Sequence, residues 1–560
     1  MTRFTQPHLD ATTQLISPGA PFELEQREIN GHTLTAYKNA EPNLRVFMSA
    51  GRQFAEKLLA EYQGQQLSFD DYFNAMDRLT AALQHQFGIS KGDRVAIAMR
   101  NRPEWMIAYG AIIHLGAIAV PLNSWGKGEE LQQGLDDSGA ALAICDRDRF
   151  QHLLSVNSDL PCVVVEGEPD DNCSAHWLDL VSTDPDVSAQ LPELAPEDPA
   201  MIMFTSGTSG RPKGALFSHL NCCQALYNYE FIGAATYLTN TEVMNRQLAS
   251  PTPSKLLVAM PLFHVSGLFS QFLVNLRFGR ATHLMYKWST EEALRLLREG
   301  GITQLVGAPA MMQQLLSHPD AHADDFASVM NASAGGAATP EVLHDLYRKQ
   351  TANALTGGGW GMTETGGTGV AVTGIYSHER PNAAGFASPV VEFSFRDEDG
   401  NEVPEGEAGE IWLKSVTCIE RYWSGDEKGE SFVDGWYRTG DVGYFSDEAL
   451  LYICGRVKDV VIRGGENVYP AEIEHCLLEL PGCIEAAVVG LPDEDWGESV
   501  AAVIVANRAL TEADVISHCQ THLAGYKVPT RICFSNTPLP RNATNKPLKG
   551  KIREQYFGVS

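Results

Sequence analysis

The chain has 560 residues, too many for one compact core, so its length alone predicts several domains. Hydrophobic residues make up 44% and charged residues 20%, a balance that excludes disorder on a large scale. The formal charge of −28 argues against non-specific binding to nucleic acid or to an anionic membrane. Any polyanion site must then be built locally, from backbone N–H groups and a few basic side chains.

Residues 1–21 are polar and lack the apolar core of a signal segment. Residues 94–100 read as a buried strand, Pro103 opens a helix over 104–115, and 117–120 form the next strand. The longest apolar stretch, 106–122, is interrupted by His114 and ends at Pro121, so it is a buried helix and strand and too short for a membrane span. Further strand-like runs fall at 162–165, 256–260 and 282–285, with helix-like segments at 290–299 and 340–349. Such alternation predicts layered α/β architecture with largely parallel sheets. Residues 236–255, rich in Thr, Asn, Ser and Pro, read as a surface loop.

Around Gly455 the pattern changes. A Gly- and Asp-rich, β-like stretch precedes it, and about a hundred residues with their own alternation follow, with strands at 460–462, 485–489 and 500–505 and helices at 470–480 and 512–523. A large α/β domain followed by a smaller α+β domain is the expected organisation. The eleven cysteines include no C-x-x-C pair, so neither a zinc knuckle nor a redox pair is indicated, and a reducing cytoplasm is the default compartment. An oligomer is compatible with the sequence.

The most informative segment is Met203-Phe-Thr-Ser-Gly-Thr-Ser-Gly-Arg-Pro-Lys-Gly214. Glycines among hydroxyl residues let the backbone turn tightly and aim N–H groups and hydroxyls at a polyanion, and Lys213 adds charge. A flexible surface loop has the same composition, but this one follows an apolar strand. It is not a Walker A loop: Pro212 and Gly214 stand where that motif needs Gly and Ser or Thr.

This segment resembles the phosphate loop of the adenylate-forming superfamily, which comprises acyl- and aryl-CoA synthetases, adenylation domains and beetle luciferases. Other motifs of that family follow in order. The resemblance implies that Thr205, Ser206, Gly207, Thr208, Ser209, Gly210 and Lys213 hold phosphates of ATP. Pro261-Leu-Phe-His264 is similar to the segment that places a histidine near the acyl pocket, to which Met311 and Gly358 are also assigned. Ser333-Ala-Gly-Gly-Ala337 resembles the turn whose backbone lies along adenine, giving Gly335, Gly336 and Ala337. In Trp360-Gly-Met-Thr-Glu-Thr365 the resemblance implies adenine stacking by Trp360, with Gly361 and Met362 beside it, phosphate contact by Thr363, and Mg²⁺ on Glu364. A hard cation bridging phosphates prefers such a carboxylate oxygen.

Tyr437-Arg-Thr-Gly-Asp441 resembles the ribose-binding motif, and Asp441, acceptor-only with two oxygens, suits two ribose hydroxyls. Gly455-Arg-Val-Lys-Asp459 implies nucleotide contact by Arg456 and a hinge at Lys458, hence domains at 1–457 and 458–560, the second of them mobile. Gly464, Gly465 and Glu466 would line the CoA side. Leu539-Pro-Arg-Asn-Ala-Thr-Asn-Lys546 resembles the segment bearing the catalytic lysine, with Asn545 where the family has Gly; Asn tolerates the left-handed backbone that this turn needs.

The implied reaction joins a carboxylic acid to ATP as an acyl-adenylate and then to coenzyme A, with the acid expected to be a medium- or long-chain aliphatic one. The sequence leaves open an aryl acid, a carrier-protein acceptor, a luciferase-like oxygenase and a non-catalytic nucleotide-binding protein.

Overall fold

The computed structural model describes residues 4–167, 173–182, 188–205, 212–336, 339–423, 431–464, 466–541 and 547–559. Two large sheets carry most of the chain. In an eight-stranded sheet, Pro199–Thr205, Ile118–Pro121, Arg94–Ala98, Leu142–Cys145, Cys162–Val164 and Ala175–His176 run parallel, and Lys213–Ser218 and then Arg421–Tyr422 add antiparallel at one edge. Strand Arg94–Ala98 is apolar and buried almost throughout, as a parallel strand covered on both faces must be. Helix Pro103–Leu115 follows it, opened by Pro103 and closed by Gly116 in the left-handed conformation. Its Trp105 and Tyr109 rings stack at 5.6 Å within the main core.

The second sheet has fourteen strands and two characters. Leu355–Trp360, Asn331–Gly335, Gln304–Gly307, Lys255–Val258, Ala281–Leu284 and Leu58–Tyr62 are parallel neighbours. Beyond Leu355–Trp360 the sheet continues antiparallel through Val370–Thr373, Gly385–Ala387, Leu450–Arg456, Trp436–Phe445, Gly409–Ser415 and Val391–Arg396. The expected parallel order therefore holds only where helices return the chain.

The expected loop at 236–255 is mostly helical. Helix His219–Thr239 runs into it, and after a break at Asn240 a second helix spans Thr241–Leu248. Polar composition misled the reading because the threonines bond backwards along the helix, Thr236 Oγ1 to the Ile232 carbonyl and Thr239 Oγ1 to that of Ala235, both at 2.8 Å.

The C-terminal part builds its own five-stranded sheet from Glu466–Val468, Val461–Arg463, Gly497–Ala506, Cys483–Asp493 and Arg531–Ser535. Helices Pro470–Glu479 and Glu512–His522 cover it, burying Val461, Ile473, Leu477, Val488, Ile504 and Val515 together. Helix Pro470–Glu479 also lies against helix Glu341–Gln350 and strand Leu450–Arg456 of the large domain. Among the described residues, no helix is long and apolar enough to cross a membrane.

Candidate active site

One cavity of about 2670 Å³ opens between the two domains and reaches into the large one. Its first corner is built around Glu364. Strands Pro199–Thr205 and Lys213–Ser218 pair with Thr205 opposite Lys213. The intervening Ser206, Gly207, Thr208, Ser209 and Gly210 lie outside the described residues. The Lys213 ammonium stands 4.9 Å from the centre of the Tyr422 ring. The Tyr422 hydroxyl donates to Glu364 Oε1 at 3.0 Å and lies 3.3 Å from the Tyr437 hydroxyl. Because Tyr422 has one proton and gives it to the carboxylate, Tyr437 must donate to Tyr422. Burial, reinforced by the Glu364 charge, raises the Tyr437 hydroxyl well above the ordinary phenol range and pushes the Cys418 thiol up to about 12. Both stay protonated beside the carboxylate. Glu364 itself is only 8% exposed and sits in the short turn Thr363–Thr365, whose position is fixed by the Ile419 N–H donating to the Glu364 carbonyl at 2.8 Å.

The second corner joins two adjacent parallel strands to the antiparallel half of the sheet. Gly335 lies opposite Gly359 and Ala334 opposite Gly358, and Gly335 and Gly336 have nothing within 4 Å of where a Cβ would stand. This leaves a flat strip of backbone open to the cavity; Ala337 lies outside the described residues. Gly361 is dictated differently: a Cβ there would come 2.4 Å from the Gly367 carbonyl oxygen, so the Trp360–Met362 turn closes only with glycine. Trp360 Nε1 donates to Asp441 Oδ2 at 2.8 Å, and Arg456 Nε donates to Asp441 Oδ1 at 2.9 Å. Asp441 and Arg456 face each other across the ladder of strands Trp436–Phe445 and Leu450–Arg456. Trp360, Gly361, Met362, Thr363, Glu364, Asp441 and Arg456 all line the cavity.

The lining of the cavity also takes in, from the large domain, Tyr229, Ile232, Gly233, Val265, Val274 and Val306, with the polar Glu230, Ser266, Ser270 and Arg280 among them, and Gly358. His264 lines the cavity too, its ring 4.3 Å from that of Phe263. The segment before it is clamped by Asn101, which donates to the Met260 carbonyl and accepts from the Leu262 N–H, both at 2.9 Å. Met311 is not part of this wall. Helix Pro309–Leu316 turns it into a small buried cluster with Met260 and Ala308, and it is Met260 that reaches the cavity.

The small domain closes the remaining side. Lys458 and Asp459, in the turn Val457–Asp459, reach the cavity, as do Glu472, Glu474 and His475 of the following helix. Pro547, Leu548, Lys549, Gly550 and Lys551 also line it, and Lys549 pairs with Glu474 at 2.8 Å. Lys546 and Gly465 lie outside the described residues. Gly464 and Glu466 are not at the cavity: Gly464, with φ of +62°, packs under Trp496 and donates its N–H to the Trp496 carbonyl at 2.8 Å.

Two family models match the chain: AMP-binding enzyme over residues 47–423, and AMP-binding enzyme C-terminal domain over 472–546. The chain belongs to the AMP-binding enzyme family. It is an AMP-forming acid–thiol ligase of the acyl- and aryl-CoA ligase group of adenylate-forming enzymes. It is 33% identical over 490 residues to the long-chain-fatty-acid–CoA ligase FadD13 of Mycobacterium tuberculosis, covering 86% of this chain and 92% of that protein. It is 30% identical over 505 residues to the 2-succinylbenzoate–CoA ligase of Bacillus velezensis, covering 90% and 96%. Among solved structures it superposes on ATP-bound MatB of Rhodopseudomonas palustris with a TM-score of 0.77 at 28% identity, over 92% of this chain and 99% of that one.

Within this AMP-binding enzyme, the sequence motifs did not point to Tyr422. It lies in a two-residue strand, 58 residues from the Glu364 it touches, and enters the site only because Arg421–Tyr422 adds to the edge of the other sheet. Tyr437 was legible only as a neighbour of Asp441.

Proposed function

We propose that the protein is an ATP-dependent acid–CoA ligase acting on a medium- or long-chain aliphatic carboxylate, with its domains meeting at Lys458. The observation that carries this reading is that the Glu364 corner, the Asp441 corner and the aliphatic side chains Ile232, Val265, Val274 and Val306 all line one cavity. A phosphate chain would lie along Lys213, Thr205, Thr363 and the 206–210 loop. The adenine would lie between Trp360 and the Gly335–Gly336 backbone, and the ribose against Asp441. An extended chain would lie along Ile232, Val265, Val274 and Val306, with its carboxylate near His264 and Gly358.

The Glu364 site fits Mg²⁺. Oε1 is engaged by Tyr422, and among the described residues nothing donates to the other oxygen, which suits a hard cation at the cavity wall. Bound there, Mg²⁺ would offset phosphate charge. In the first half-reaction a substrate carboxylate oxygen attacks the α-phosphorus, the bond to the bridging oxygen breaks, and pyrophosphate leaves. The acid is already ionised at neutral pH, so no general base is needed. The protein's contribution is positioning and charge stabilisation, by Lys213 and by Lys546 from the small domain. In the second half-reaction the CoA sulfur attacks the acyl carbonyl, AMP leaves, and the thiol proton passes to solvent. Rotation about Lys458 would exchange the Lys546 side for the Gly464–Gly465–Glu466 side.

The test is acid-dependent ATP–pyrophosphate exchange over a panel from acetate through fatty acids to benzoates and cinnamates, followed by thioester formation with CoA. Exchange confined to aliphatic acids of eight or more carbons, on the order of that length, is the expected result. Preference for aryl acids, the reading favoured by the 2-succinylbenzoate relative, would replace the aliphatic assignment. Exchange without CoA-dependent thioester would replace CoA by a carrier protein.

A further inference from the structure

Away from the cavity, the small domain brings together three side chains that the ligase reaction does not use. Cys476 lies on helix Pro470–Glu479, and His518 and His522 lie one turn apart on the adjoining helix Glu512–His522. One donor atom from each falls within 4.8 Å of the other two. The histidine rings face each other at 4.5 Å between centroids. None of the three lines the cavity.

The hydrogen bonds around the rings decide what they can offer. His518 Nε2 donates to the Cys476 carbonyl, and His522 Nδ1 donates to the His518 carbonyl, both at 2.8 Å. A carbonyl only accepts, so those two nitrogens carry the protons, and each neutral ring keeps one lone pair on its other nitrogen. Fixing a ring through an N–H bond to a backbone carbonyl is how metal-ligating histidines are held. Cys476 is 4% exposed and adds a soft sulfur donor, whereas His522 is exposed and leaves the cluster open to solvent on one side.

We propose that Cys476, His518 and His522 form a zinc site that ties helix Pro470–Glu479 to helix Glu512–His522, with water in the fourth position. Two imidazoles and a thiolate suit a borderline-soft, tetrahedral ion and do not suit the Mg²⁺ expected at Glu364. Tetrahedral zinc needs donors about 3.4 to 3.6 Å apart. Closing from 4.8 Å therefore asks for a side-chain adjustment, which the exposed His522 at the helix end can make. Binding converts the Cys476 thiol to a zinc-bound thiolate and releases its proton to the buffer. The site stiffens the helix that presents Glu472, Glu474 and His475 to the cavity.

The test uses the untagged full-length protein, stripped of metal, kept reduced and in excess Mg²⁺, and titrated with Zn²⁺ and separately with Co²⁺. One equivalent of either should bind, Zn²⁺ should raise the melting temperature, and Co²⁺ should show a thiolate-to-cobalt charge-transfer band. Cys476→Ser should abolish that band. His522→Ala, at an exposed position that leaves the fold and the basal ligase rate intact, should weaken Zn²⁺ binding at least tenfold. Absence of binding at tens of micromolar metal would overturn the site, as would Zn²⁺ affinity unchanged in His522→Ala or a Co²⁺ complex without the charge-transfer band.

Discussion

The two sides of the cavity are made differently. On the large-domain side the two carboxylates of the site are each held by fixed donors: Glu364 by a chain of two buried tyrosine hydroxyls, and Asp441 by the half-buried Trp360 and the exposed Arg456 on its two oxygens. On the small-domain side the charges meet in partly exposed pairs within that domain, Lys549 with Glu474 and Lys527 with Glu472, and a polar contact from Asn382 to His475 at 3.3 Å crosses to the large domain. Pairs of that kind contribute at most about 1 kcal/mol each. One wall is thus preorganised and costly to rearrange, and the other presents its charges in weak pairs that can be exchanged. A ligase with two half-reactions at one site needs that division.

The largest effect should come from breaking the preorganised wall at its charge. Glu364→Gln keeps the shape but removes the carboxylate, and ATP–pyrophosphate exchange should fall about 10²- to 10³-fold. A fall of less than threefold would show that phosphate charge is met elsewhere. Next comes Tyr422→Phe, which deletes the hydroxyl that orients Glu364 and leaves Tyr437 without its acceptor. A hydrogen bond to a charged group is worth roughly 1.5 kcal/mol or more, so the exchange rate should drop about tenfold with CD and melting temperature little changed. Equal rates for wild type and Tyr422→Phe would reduce the tyrosine chain to packing.

Lys458→Pro tests the other wall. Proline fixes φ and disfavours helical geometry at Val457, which stands in the turn Val457–Asp459. Thioester formation should slow severalfold, on the order of fivefold, with adenylation less affected, because only the second half-reaction needs the small domain to turn. Stopped-flow or quench measurement of each half-reaction separates the two. Equal loss in both would place Lys458 in the adenylation site and not at a hinge.

The preorganised wall was the more legible in the sequence. Trp360, Thr363 and Glu364 are neighbours in the chain, and so are the strands that carry Gly335 and Gly359, so contiguous motifs map onto contiguous structure. What escaped was assembled from distant pieces. Tyr422 arrives through an edge strand of two residues, and Met311 faces the core because of the helix it lies on, not its residue type. Residues 241–248 were unreadable for another reason: that helix buries none of its residues, and within so short a segment Val243, Met244 and Leu248 are too few to establish a helical period.

The smallest effect concerns stability. Deep in the large domain Arg277 pairs with both Glu41 and Glu230, the latter at 2.7 Å. Burial, with Glu41 adding to it against the opposing pull of Arg277, raises the Glu230 carboxyl to about 7 from a usual 4.5. Between those values the folded state keeps a proton that the unfolded chain has lost. Stability is therefore fully present below about pH 4.5 and declines as pH rises through about 7, by at most roughly 3 kcal/mol. Glu230→Gln keeps a hydrogen-bonding group beside Arg277 and cannot ionise, and Arg277 retains Glu41. The melting temperature of the variant relative to wild type should accordingly rise from pH 5 to pH 8, on the order of a few degrees for a chain of this size. A difference that stays flat across that range would mean that Arg277 fully compensates the buried charge, and that this wall tolerates an ion pair as readily as the small domain's surface does.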